Sequence, residues 1–431
     1  MRRFLTVILT AVLVVFSVSG CGKKEEVQIS LWIGENYNDL MLSQLDEFEK
    51  LHKNEANFTF NISFEGEDTC KDMVLQNPES AADIFIFVND QFEDLYQAGA
   101  LLEITQNVDG IKDAVGGEEA GAIVAVTRED KLYAYPMTAG NGYFLYYDKS
   151  YFSDDDLKTL DGILDVCDRN GKLFAMNYNS GWYIYSFFKG AGMDVYLADN
   201  QTTNYCNWND TSGRYTGVDV ANAMMDIAAH PSFANYDDAA FVGGLEDGTV
   251  IAGVSGQWNA GLASETWGEN YGAVMLPTYT IDNTQVQMYS FMGYKLVGVN
   301  ANTASPKWAM ELAEFLTNED NQVKRFQVTG ECPANVNAAA NEAVVSSPAV
   351  SAIGNQAVYS TTQSLVDTFW DPSMKLGITL AAGNRDGVDM QQYLDEIVEE
   401  IEREAVDEPE EEVMDLDEDE LANESIDEIE E

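Results

Sequence analysis

The chain has 431 residues, with 74 Asp and Glu against 23 Lys and Arg, and a formal charge of −51 at pH 7. Such a surplus of negative charge argues against nucleic acid or an anionic membrane surface as a direct partner, because both are held through basic patches. The length allows two or three domains, each with its own core.

The N-terminus reads as an export signal. Arg2-Arg3 is a basic start, Phe4–Val18 an apolar run too short for a comfortable membrane span, and Val18-Ser19-Gly20-Cys21 a small-residue stop. These four residues resemble the bacterial lipobox, which implies a lipid on Cys21, residues 1–21 as signal peptide and residues 22–26 as a tether. That places the rest of the chain outside the cytoplasm, anchored to the cell membrane.

Val27–Ile33 alternates as a strand, and Asp39–Leu51 repeats apolar residues at helical spacing. Phe58–Phe64 is a second strand, and Asp83–Val88 (DIFIFV) a third, dense enough to be buried on both faces. A helix from Gln91 to Ala98 follows. This β-α-β-α rhythm predicts a mostly parallel sheet covered by helices. After the strand Leu132–Pro136 the chain passes through the small residues Met137–Gly142 and starts again with the strand Tyr143–Tyr147 (YFLYY). Helices are expected at Leu157–Asp168, Tyr183–Gly190 and Gly217–Ala229, and a strand at Lys172–Met176. Asn200–Arg214 reads as a polar surface excursion, and Phe241–Gly248 as a loop.

The strand Val250–Val254 breaks at Ser255-Gly256 and delivers Trp258 straight after the break. Thr278–Gln287 reads as a linker, Tyr294–Val299 as a strand, Pro306–Leu316 and Asn318–Val328 as helices. Helices at Ser373–Gly383 and Val388–Ile401 close the folded part. From about Glu404 the sequence is mostly Asp and Glu and reads as a disordered acidic tail, residues 404–431. Cys70, Cys167, Cys206 and Cys332 allow three disulfide pairings outside the cytosol. With no CxxC pair, neither a zinc site nor a redox motif is expected; no other metal and no cofactor are expected either.

The order of these segments resembles a known family. Ala82–Ile104, Lys131–Phe152, Val254–Thr278 (with GxW and YGxxxLPT) and Phe369–Ile397 are similar to segments of the maltose-binding and related sugar-binding proteins of ABC importers. The resemblance implies an α/β periplasmic-binding-protein-like fold: two lobes joined by hinge crossings, with a ligand cleft between them. Residues 27–138 and 285–345 would form lobe 1, and residues 139–284 and 346–403 lobe 2. It also implies a sugar or oligosaccharide ligand, a permease partner in the membrane, a monomeric receptor and no catalytic activity.

Sugars have apolar C–H faces and hydroxyl rims, so rings and polar side chains serve them together. The resemblance places Phe87 on the first-lobe wall, Asp90 as a hydroxyl-binding acid, and Trp182, Trp258 and Trp370 as stacking rings. Glu35 and Asn36 complete the rim, and Asn141 stands past the first crossing. Structural roles compete: Phe87 as core, Asp90 as a helix cap, the tryptophans as buried aromatics. The chain departs from maltose binders where Ala139-Gly140-Asn141, Gln91 and Ser180 replace charged residues. An exported glycoside hydrolase and a receptor for a polyamine or peptide remain as alternatives.

Overall fold

The computed structural model describes residues 24–404. The export signal, Cys21 and the tail beyond residue 404 lie outside them. Two five-stranded sheets carry the chain. In the first, the strands run in the order Ala56–Phe64, Glu25–Ile33, Ile84–Val88, Tyr294–Val299, Ala134–Ala139. In the second, the order is Phe233–Ala234, Leu173–Ala175, Val250–Gly256, Tyr143–Asp148, Tyr271–Val274. Glu25 and Glu26, expected in the tether, already belong to the first strand.

Each sheet is parallel except around one strand. Tyr294–Val299 is antiparallel to both neighbours in the first sheet, and Tyr143–Asp148 in the second. The reason is topological. The parallel strands end at the edge facing the other sheet, so a chain arriving from there must run the opposite way. Both antiparallel strands therefore mark crossings, one at residues 139–143 and one at residues 292–294.

Long apolar strands are buried on two faces, as DIFIFV and YFLYY predict. Tyr143 and Leu145 face one core of the second lobe, with Phe187, Trp208 and Phe369, while Phe144 and Tyr146 face Phe241, Tyr271 and Ile353 on the other side. The first lobe packs Ile29, Phe48, Phe85, Phe87, Leu296 and Trp308 together.

Several expectations are corrected. Thr278–Gln287 is no linker: Thr278–Ile281 and Thr284–Gln287 form an antiparallel hairpin. Asp282 and Asn283 turn it with φ of 47° and 60°, the left-handed pair that a two-residue hairpin needs. Its Tyr279 is buried in the second lobe and donates to the Phe187 carbonyl at 2.6 Å. That moves residues 285–292 from the expected first lobe to the second. Phe241–Gly248 lies largely in a helix, Asp238–Glu246, capped by Asp237 through the Ala240 N–H at 2.8 Å. Paired glycines hid that helix from the sequence reading. Inside the polar excursion, Asn204–Cys206 pairs with Val195–Leu197, and Trp208 is fully buried against Phe188. Met137–Thr138 continue a strand. All four cysteines in the described residues are free, three of them buried.

Candidate functional site between the two sheets

The strand Val250–Gly256 is buried along its whole length. Gln257 follows and ties three segments together. Its backbone N–H donates to Gly142 at 3.0 Å, its amide nitrogen to Ala139 at 3.2 Å, and its amide oxygen accepts from Cys332 N–H at 3.1 Å. Trp258 comes next, half-buried. Its ring lies directly on Gly256, where a Cβ would fall 2.1 Å from the indole carbons. The indole N–H donates to Asp238 Oδ2 at 2.9 Å. Ser255 Oγ and Asn259 Nδ2 donate to Asp238 Oδ1 at 2.9 and 3.3 Å.

The second crossing is a pair of parallel strands, Ser290–Met292 and Ser360–Thr362. Asn141 N–H donates to Gly293 at 2.9 Å, and Gln363 N–H to Met292 at 3.0 Å. Asn89 joins the first lobe to them, donating to the Gln363 carbonyl at 3.1 Å and accepting from Tyr294 N–H at 2.7 Å. Gln363 Nε2 donates to Asp90 Oδ2 at 2.6 Å. Burial pushes the Asp90 carboxyl up to about 6, against the pull of its local backbone N–H groups and of Lys71.

A line of rings runs from this crossing into the second lobe. Trp182 stacks on Phe291 with centroids 5.4 Å apart, Phe291 meets Phe369 edge-on at 6.2 Å, and Trp370 meets Phe369 at 4.9 Å. Beside these rings and crossings, buried polar atoms have no partner among the described residues: Asp90 Oδ1, Asn141 Oδ1, Gln363 Oε1, Ser290 Oγ and Trp182 Nε1. Buried polar groups are nearly always paired, so these atoms single the crossing out as a candidate site; other unpaired atoms, such as Tyr135 OH and Trp208 Nε1, lie inside the lobe cores.

On the first lobe, the buried cations Lys71, Lys295 and Arg325 are all paired. Lys295 and Arg325 both pair with the fully buried Glu331, and Lys295 also reaches Glu67 at 2.5 Å. Burial opposes charge on Glu331, but the two cations outweigh it and hold the carboxyl down at about 2. Tyr37 OH completes the group, donating to Glu331 Oε1 at 3.2 Å, and burial beside that carboxylate raises it to about 12. Lys71 Nζ lies 2.5 Å from Asp367 Oδ2 and 3.1 Å from Asp94 Oδ2, which joins the first lobe to the second.

The sequence-derived residues separate into three groups. Asp90, Asn141, Trp182 and Trp258 converge on the crossings, and Trp370 reaches them through Phe369 and Phe291. Glu35 and Asn36 are exposed in a single turn after the first strand, beside Tyr37 but without contact to the rings. Phe87 is fully buried against Phe85 in the first-lobe core and offers no surface to a ligand. Nor does Asp90 cap a helix; its carboxylate accepts from Gln363. Asp238, Asn89, Gln363, Ser290 and Phe291 escaped the sequence reading. Only Asp237-Asp238 ahead of an apolar run carried a signal, that of a helix start.

Two sheets, antiparallel entry strands and a polar, ring-lined junction define a hinged two-lobe binding protein. Residues 43–352 match the model of the bacterial extracellular solute-binding proteins, and the chain belongs to that family. A galactooligosaccharide-binding protein of Bacillus subtilis (strain 168) is 25% identical, covering 93% of this chain and 96% of its own length. A protein solved with acarbose is 29% identical with a TM-score of 0.76, covering 88% of this chain and 99% of that one. A maltodextrin-binding protein from L. casei BL23, solved without ligand, shares the fold at 23% identity and a TM-score of 0.72, covering 88% of this chain and 99% of its own. The Bacillus subtilis and L. casei relatives are binding proteins, and the family is extracellular.

Proposed function

We propose that the protein captures a sugar or oligosaccharide between its lobes and delivers it to an ABC permease in the membrane, without catalysis. The cluster of partnerless buried polar atoms beside the line of rings carries this reading. Rings cover the C–H faces of a pyranose, and the orphan oxygens accept from its hydroxyls. Relatives that bind galactooligosaccharide and acarbose support the class of ligand. Closure follows because a ligand touching both lobes stabilises the closed state relative to the open one. Asp90, Asn141, Trp182, Trp258 and Trp370 are the contacts expected to matter; Glu35 and Asn36 stand at the rim. A lipid on Cys21 would hold the receptor at the membrane.

The test is calorimetry and a thermal-shift screen with maltotriose, a β-galactooligosaccharide, spermidine and a tripeptide, with chromatography of the sugar afterwards. A saccharide at a hundred times its Kd should stabilise by about 2.7 kcal/mol, and the sugar should be recovered intact. Hydrolysis products, or binding of spermidine or the tripeptide alone, would overturn the reading. For the anchor, Cys21→Ala should release the protein from membranes.

A further inference from the structure

Asp238 stands apart from the ordinary duties of its position. It is the first residue of the helix Asp238–Glu246, yet the cap is supplied by Asp237, which accepts from the Ala240 N–H. Among the described residues no cation pairs with it. Its partners are neutral donors on and beside the strand Val250–Gly256: the Trp258 indole and Ser255 hydroxyl at 2.9 Å each, Asn259 at 3.3 Å and the Tyr183 hydroxyl at 3.5 Å.

Trp258 differs from the other two candidate rings. Trp182 and Trp370 pack against the second-lobe core, whereas Trp258 belongs to none of the three apolar clusters. Apolar packing therefore does not orient it. Two other contacts do. Gly256 lies under the ring and, lacking a Cβ, lets the indole sit flat on the backbone. Asp238 fixes the remaining rotation by holding the indole N–H.

We propose that Asp238 is a positioning residue for ligand binding: with Gly256 beneath the ring, its carboxylate locks the Trp258 indole so that the open face meets a pyranose. This rests on the reading of the protein as an oligosaccharide receptor. A hydrogen bond to a charged group is roughly twice as strong as a neutral one, and a pre-oriented ring spares the ligand the entropy of ordering it.

The experiment is a double-mutant cycle with Asp238→Ala, Trp258→Phe and both together, titrated with maltotriose and a β-galactooligosaccharide. The Phe ring keeps a stacking face but has no N–H. Asp238→Ala should weaken binding about tenfold or more in the wild-type background and about twofold or less in the Trp258→Phe background. Asp238→Asn, which keeps one acceptor oxygen, should recover part of the loss and serves if the Ala variant does not fold. Equal losses in both backgrounds, or none in either, would overturn the proposal. A second readout needs no ligand. Asp238→Ala should change the tryptophan emission spectrum, and that change should vanish in the Trp258→Phe background; its persistence would also overturn the proposal. If neither saccharide binds the wild type, the receptor reading falls, while the emission cycle still decides whether Asp238 holds the indole.

Discussion

Asp90 shows what burial does to a single acid at the junction of the lobes. Its carboxyl is raised to about 6 from an ordinary 3.8, chiefly by loss of water, while Lys71 nearby pulls it down and Asp367 pushes it up. A raised acid binds its proton more tightly in the folded state. Its favourable contribution is complete below the unfolded value and is lost as pH rises through the folded one. Folding stability should therefore fall by about 1–3 kcal/mol between roughly pH 4 and 6 on account of this group. Asp90→Asn should remove that component, read as the difference between urea denaturation curves of the two proteins across the range. Glu331 has the opposite sign. Held at about 2, it stabilises above its ordinary value of 4.5, and that contribution is lost as pH falls toward 2. Glu331→Gln leaves Arg325 without its carboxylate and Lys295 with Glu67 alone, and should cost about 3–5 kcal/mol in chemical denaturation at pH 7. Asp90 follows a strand and Glu331 a helix, and neither stretch of sequence shows what its carboxyl meets. Their partners, Gln363 for one and Lys295 with Arg325 for the other, come from distant parts of the chain, so neither environment was legible beforehand.

At the scale of elements, close approach of backbones explains glycines that composition alone could not. In the helix Trp370–Ala381, Gly377 passes so near the Tyr178 carbonyl that a Cβ would lie 1.8 Å from the oxygen. Neither partner is a flexible side chain, so the helix itself must shift. Gly377→Ala should lower stability by about 2–3 kcal/mol, measured by thermal or urea unfolding, despite the better helix propensity of Ala. The strands and helices with clean periodicity were readable because their pattern is local: Val27–Ile33, Tyr143–Tyr147, Gly217–Ala229 and Pro306–Leu316 all appear close to their expected bounds. The hairpin at Thr278–Gln287 was not readable as such. Its apolar residues Tyr279, Ile281 and Val286 are spaced for a strand pair, but polar neighbours on the outer face gave the run the look of a linker. The helix Asp238–Glu246 was obscured in the same way by Gly243-Gly244, whose low propensity is overridden by packing of Phe241 and Leu245.

For the molecule as a whole, the contacts that join the lobes include the hydrogen bonds of Asn89 and Asp90 with Gln363, the Gln257 bridge to Cys332, and the ion pair from Lys71 to Asp367. The ion pair is the contact among these made between two charged groups, and an opening motion breaks it without disturbing a strand. Asp367→Ala should therefore enlarge the radius of gyration of the ligand-free protein in small-angle scattering, while a saturating saccharide restores the compact value. The pair is partly exposed, so the accompanying loss of affinity should be small, about two- to fivefold.

What the sequence determined by itself was the class of fold, from the alternation of strand and helix periods, and the position of Trp258 straight after a strand that ends in glycine. Those are local properties, encoded within a dozen residues at a time. Only the tertiary structure decided which rings remain available. Phe87 lies within an apolar strand, and Trp258 lies two residues past the end of one. One is buried on both faces of its strand, and the other is lifted past the sheet edge, laid on Gly256 and held by Asp238. That difference depends on what the opposite elements place above each residue, which no local pattern records.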